Sequence, residues 1–220
     1  MIKKSKKKTS RTTKKRVKRE VALKRKTKET DISVSLKLDG KGNYKIDVDI
    51  PFLRHMLELF AKHSMFDLKL SAKGDIDVDI HHTNEDIGIL LGEAFLRALG
   101  DKRGIRRFAT SVVPMDEVLV RAVTDISGRA CFAFDYVGSS VQRFLKQESS
   151  GYRIGDAIEL WKTFTSNAKI ALHVDVLKAK EQDPHHILEA IFKAIAVTLR
   201  YAVKKDKGYS SILPSTKGEI

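Results

Sequence analysis

Two short stretches hold the residues best suited to chemistry. In DIHHTNED, residues 79–86, the adjacent histidines His81 and His82 are followed by Glu85; in DPHHILEA, residues 183–190, His185 and His186 are followed by Glu189 at the same spacing. One His-His-x-x-Glu is no more than a set of polar residues at a helix start; its recurrence is what gives it weight. Residues three apart on a helix share a face, so His82 with Glu85, and His186 with Glu189, can reach one ion together. His81 and His185, one position earlier, point elsewhere and serve another site. Imidazole nitrogens with carboxylate oxygens suit Mn2+, Fe2+ or Zn2+. With no cysteine thiolate in either stretch and six ligands expected per metal, Mn2+ is favoured.

The elements around these stretches repeat. Residues 32–38 and 44–50 alternate apolar and polar, the period of half-buried strands, and DGKGN between them reads as a hairpin turn. Residues 51–63 have helical spacing with Pro51 in the first turn. Residues 66–72 and 76–80 read as two further strands, and residues 83–100 as a helix ended by Gly100. The second half follows the same order: strands at 116–126 and 130–136, a helix at 154–168, a strand at 169–176 and a long helix at 185–203. The fold expected is α+β with two pseudo-repeated halves, each a small sheet with helices packed on one face. Register tests the repeat. His81 lies 26 residues after His55, and counting 26 back from His185 reaches Glu159 in the equivalent helix. Each half thus offers one candidate ligand in its first helix, His55 or Glu159, and a His-His-x-x-Glu in its second.

The net charge of +14 is local. Residues 1–28 hold fifteen Lys and Arg and one acid, Glu20, and the remainder balances at 27 of each sign. Such a segment buries too little apolar surface to order itself and is expected to be a disordered tail. It could hold RNA or another polyanion in a salt-dependent way, without specificity. The halves are expected at 29–108 and 109–220. No apolar run reaches membrane-spanning length and no secretory signal is evident. The single cysteine, Cys131, forms no internal disulfide, fits a reducing compartment such as the cytoplasm, and is expected to be a buried thiol.

FLRHML, HHTNED, GDKRGIRRF, PMDEVLV, DISGRA, HHILEAIFKA and LPSTKG, in this order, resemble the imidazoleglycerol-phosphate dehydratase family of histidine biosynthesis. The resemblance runs from about Lys26 to Ile220. It implies a lyase that removes water from imidazole glycerol phosphate to give imidazole acetol phosphate. It also implies two Mn2+ per active site, and active sites at subunit contacts in a homo-oligomer of 24 copies. Carried over, the metal ligands are His55, His81, His82, Glu85, Glu159, His185, His186 and Glu189. Substrate contacts are Glu29, His63, Arg107, Arg129, Ser215 and Lys217, the cations suiting a phosphate dianion. The substrate proton sits on a carbon that no carbonyl activates, so the imidazole ring must accept electron density. A carboxylate, Glu29 or Glu189, moves the proton, with His81 beside it.

Three positions depart from the family pattern: Arg54 and Ile80 stand where acids precede the ligating histidines, and Glu159 stands for a histidine. Acids beside ligating histidines orient the rings. Two other functions therefore fit a smaller set of residues: a metal-binding relative that has lost catalysis, and a polyanion-binding protein acting through the tail.

Overall fold

The computed structural model describes residues 18–138, 140–179, 183–209 and 211–220. The first half contains β1 (Glu20–Lys26), β2 (Thr30–Lys37), β3 (Tyr44–Val48), α1 (Pro51–Ser64), β4 (Asp67–Gly74) and α2 (Ile80–Leu99). The second contains β5 (Phe108–Met115), β6 (Val118–Asp125), β7 (Cys131–Tyr136), α3 (Val141–Leu145), β8 (Glu148–Ser149), β9 (Tyr152–Arg153), α4 (Ile154–Ala168), β10 (Ala171–Ala179) and α5 (Pro184–Ala202).

The sheets have one topology, β1-β2-β4-β3 and β5-β6-β10-β7, so the expected duplication is real. In each, one inner strand, β4 or β10, is antiparallel to one neighbour and parallel to the other. One side of each inner strand is buried, for example Ile32, Val34 and Leu36 of β2 and Leu172, Val174 and Val176 of β10. These faces receive the helices: α2 lies on β1 and β2, α5 on β5 and β6. The halves then meet helix to helix, α1 on α5 and α2 on α4. Trp161 of α4 sits at the centre, its ring 5.3 Å from Phe60 and 5.0 Å from Phe192. Burying residues of both halves together joins them into one core. Gly88 and Gly92 let α2 and α4 approach closely, since a Cβ there would come within 2.8 Å of Leu160 O and 2.5 Å of Phe164 O.

Five expectations are corrected. The basic tail does not extend to residue 28: Glu20–Lys26 form β1, paired along its length with β2. Its residues alternate exposed and half-buried, and backbone pairing orders a segment whose composition reads as disordered. Residues 1–17 lie outside the described residues. β3 is no hairpin partner of β2, because β3, α1 and β4 form a parallel crossover that inserts β4 between them. Residues 76–80 are not a strand: Asp75–Val78 form a turn, with Val78 N donating to Asp75 O at 2.9 Å, and Ile80 opens α2. The alternating acids that suggested a strand are turn and capping groups. β5, whose Pro114 suits an edge strand, was not expected at all. Cys131 is exposed at the start of β7 rather than buried.

Candidate metal and substrate site

Three helix starts carry the histidines. α2 and α5 are capped alike: Asp79 Oδ1 accepts from His81 N at 2.9 Å, and Asp183 Oδ1 from His185 N at 2.8 Å. A cap of this kind satisfies an amide of the first turn and fixes how it leaves the loop. Both histidine pairs therefore begin their helices in the same setting.

His55 of α1 meets α5 of the other half. His55, His185 and Glu189 offer ligand atoms all within 4.8 Å of one another. The two rings are 5.9 Å apart, and His185 Nε2 lies 3.6 Å from Glu189 Oε2. The edge of Phe52 against the His185 ring, at 5.2 Å, and the stack of Phe52 on buried Tyr152 hold this imidazole in place. Tyr152 in turn donates to Asn84 Oδ1 at 2.8 Å, which links the start of α2 to the same support. Glu189 is buried and paired with Lys193. His63 titrates below its ordinary range, first because burial disfavours its charge and then because Lys193 repels it.

His186 points away from that group into a second one, with Asp116 and Glu117. Its Nδ1 is 3.4 Å from Glu117 and its Nε2 3.7 Å from Asp116. Sequence reasoning missed both acids, which lie in the turn between β5 and β6. The signal was available: the register that places the first residue of β2, Thr30, on the first residue of β6, Val118, places Glu29 on Glu117. In the first half His82 also meets acids, Asp75 and Glu29, of which Glu29 alone has a counterpart beside His186. The Nδ1 of His82 is 3.2 Å from Asp75, and its pKa is raised, first by that hydrogen bond and also by Glu29.

Glu159 is placed on α4, which packs on α2, yet its carboxylate lies 3.3 Å from Lys162 Nζ. Among the described residues, Glu159, His81 and Glu85 do not form a group as close as that of His55, His185 and Glu189. Arg54 turns from His55 and donates to Val48 O at 2.8 Å. Ile80 packs half-buried against the core.

The expected phosphate contacts lie elsewhere. Arg107 N donates to Ala202 O at the last residue of α5, whereas His185 is near its first. That separates the two groups by about 25 Å along one helix, at ~1.5 Å per residue. Arg107 clamps Asp125 with two bonds, 2.7 and 3.1 Å, and donates to Pro214 O at 2.7 Å. Its guanidinium thus fastens the segment bearing Ser215 and exposed Lys217. Arg129 is exposed on the loop after β6.

A duplicated α+β chain with helix-borne histidine and carboxylate groups is the class that fold and site define. The family model for imidazoleglycerol-phosphate dehydratase matches residues 48–199. The imidazoleglycerol-phosphate dehydratase of Thermoanaerobacter pseudethanolicus is 50% identical over 201 residues, covering 91% of this chain and 98% of the relative. That of Marinobacter nauticus is 42% identical over 204 residues, covering 92% and 98%. The crystal structure of the Staphylococcus aureus enzyme superposes with a TM-score of 0.70 at 32% identity, covering 84% of this chain and 99% of that one. The Pyrococcus furiosus structure gives 0.74 at 31%, covering 90% and 100%. The chain belongs to the imidazoleglycerol-phosphate dehydratase family.

Proposed function

We propose that the protein removes water from imidazole glycerol phosphate to give imidazole acetol phosphate, the dehydratase step of histidine biosynthesis. The observation that carries this reading is the His55, His185 and Glu189 group, built across both halves of a chain from that family. Two imidazoles and one carboxylate suit a divalent ion of the Mn2+ type. The proposed ligands of two Mn2+ per site are His55, His81, His82, Glu85, Glu159, His185, His186 and Glu189. Bound there, the ions supply positive charge that acidifies the substrate imidazole and orients its hydroxyl.

The chain's own groups divide the remaining work. Glu189 is engaged by Lys193, whereas Glu29 is exposed beside His82, so Glu29 is the freer carboxylate to move the proton. His81 lies next to that site, and His63, with its lowered pKa, stays neutral near pH 7. Arg129, Ser215 and Lys217 bind the phosphate, with Arg107 holding their loop. Because these residues and His185 lie at opposite ends of α5, one site takes its metal ligands from one copy and its phosphate contacts from another. The active form is then a homo-oligomer, 24 copies by the family pattern. Among the described residues no helix is long and apolar enough to cross a membrane, and a cytoplasmic location fits a biosynthetic enzyme with one cysteine.

The test is a coupled assay for imidazole acetol phosphate on purified protein with Mn2+, alongside metal analysis. Turnover with close to two ions per chain, lost in His82→Ala and His186→Ala, is expected. Full metal occupancy without turnover would instead mark a relative disabled at Arg54, Ile80 and Glu159.

A further inference from the structure

Asp86 follows the candidate ligand Glu85 on α2, and it is buried where that helix lies on the first sheet. Arg25 of β1 donates to Asp86 Oδ1 at 2.8 Å, and the hydroxyl of Thr30, the first residue of β2, meets Oδ2. Thr30 Oγ1 also lies 3.1 Å from Thr27 Oγ1, which accepts from Glu29 N at 3.1 Å and from Thr30 N at 3.0 Å. The protons in this chain have one consistent arrangement. A carboxylate paired with Arg25 only accepts, so Thr30 donates to Asp86 and Thr27 donates to Thr30. Both lone pairs of the Thr27 hydroxyl are then free for the two amides. On its other side Glu29 O accepts from Asp75 N at 3.2 Å. The peptide groups of Glu29 are thus held from both sides, while its side chain is exposed and close enough to His82 to favour that ring's charge.

The second half supplies an internal control. The matching caps of α2 and α5 set Asp86 against Ala190. The first residues of β2 and β6 set Thr30 against Val118. Arg25 pairs with Ile32, the third residue of β2, and Val113 with Val120, the third of β6, so Arg25 is set against Val113. All three counterparts are apolar: Ala190 and Val118 are buried, and Val113 packs on the core. Replacing a buried ion pair with well-packed apolar groups is often neutral or stabilising, so the fold has no need of charge at this place.

What differs between the halves is the connection that the charge anchors. Met115 and Val118 pair directly, so β5 and β6 turn through only two residues, Asp116 and Glu117. Lys26 and Asp31 pair across a longer connection of four residues, Thr27 to Thr30. A two-residue turn fixes its own backbone, whereas a four-residue one has more freedom and is fastened here by side chains.

We propose that Asp86, acting through Thr30 and Thr27 and held by Arg25, is a positioning residue for Glu29. The inference rests on Glu29 being the carboxylate that moves the substrate proton. Fixing the turn keeps that carboxylate beside His82 instead of leaving it to sample the solvent, and a misplaced catalytic group costs rate rather than fold.

Thr30→Val carries the second half's residue, keeps the volume and removes the hydroxyl. In protein purified with Mn2+, it should lower kcat for imidazole glycerol phosphate about ten- to a hundred-fold, with KM little changed and metal content intact. Hydrogen exchange over residues 26–31, read by mass spectrometry, should accelerate while the rest of the chain keeps its protection. Thr30→Ser keeps the hydroxyl and should restore both. The triple variant R25V/T30V/D86A has the second half's residues at all three places; it should keep its circular dichroism and metal and lose turnover. Parent kcat in Thr30→Val or in the triple variant, or parent exchange over residues 26–31 in Thr30→Val, would overturn the proposal while leaving Glu29 its role. Loss of fold or metal in the triple variant would make the network a structural one and overturn it as well. Full turnover in Glu29→Gln, or a parent without turnover, would remove the role of Glu29 and the positioning with it.

Discussion

Glu159 is the residue on which metal chemistry and helix packing make opposite demands. The internal register and the family pattern both mark it as a candidate ligand, while its present partner is Lys162 at 3.3 Å. A carboxylate gives a metal more negative charge than imidazole does and leaves it a weaker Lewis acid. Glu159→His should therefore keep two ions per chain and raise turnover, and Glu159→Ala should lose an ion; metal analysis and initial rates measure both. Wild-type metal content in Glu159→Ala would make Glu159 a helix-surface acid and nothing more. Recurrent spacing in the sequence pointed to His55, His185, His186 and Glu189, which the structure draws into two close groups, but it paired Glu189 with His186 where the structure pairs it with His185. It did not disclose Asp116 and Glu117 beside His186, because they lie in a turn after a strand whose pattern, Phe108–Met115, alternates only weakly. Nor did register alone reveal that His55 faces α5 rather than α2. Repeat spacing identifies equivalent residues, whereas packing between halves decides which of them meet.

At the scale of elements, helices were the more legible because their apolar faces are long and their caps explicit. Strand partners were not, since alternation says which side is buried and nothing about neighbours. The turn at residues 39–43 shows why. Its amides are not closed by a hairpin but by Asp67 at the start of the intervening β4, which accepts from Lys41 N at 2.8 Å and Asn43 N at 3.1 Å. Burial pushes the Asp67 pKa up, but those amides and Lys37 outweigh it and the net shift is downward. A depressed carboxyl pKa contributes stability that is complete above the unfolded value, about 4, and is lost as pH falls through the folded value. Asp67→Ala should cost about 2 kcal/mol at pH 7, the scale of hydrogen bonds to a charged group. The deficit should shrink once the pH falls below the folded pKa. Urea unfolding of both proteins across the acid range checks it; a deficit independent of pH would mean that the side chain acts by packing, not by charge.

In the whole molecule, α5 separates what one reaction needs to bring together. His185 and Glu189 stand near its start, and the segment carrying Ser215 and Lys217 is fastened beside its end through Arg107. A site confined to one copy would have to bend that helix or move the C-terminal segment by most of its length, and both are anchored. Two damaged chains can therefore repair each other. His185→Ala removes a proposed metal ligand and leaves the proposed phosphate contacts; Lys217→Ala removes an exposed cation and leaves the His55, His185 and Glu189 group. Each alone should be poorly active, Lys217→Ala by about ten- to a hundred-fold in substrate affinity. Co-expressed and purified as mixed assemblies, they should regain activity, because some contacts then join the intact α5 start of one chain to the intact Lys217 of another. The same chains purified apart and assayed together without exchange should not. If co-expression restores nothing while single-variant assemblies keep their size, both groups act within one copy, and the division of the site between copies is wrong.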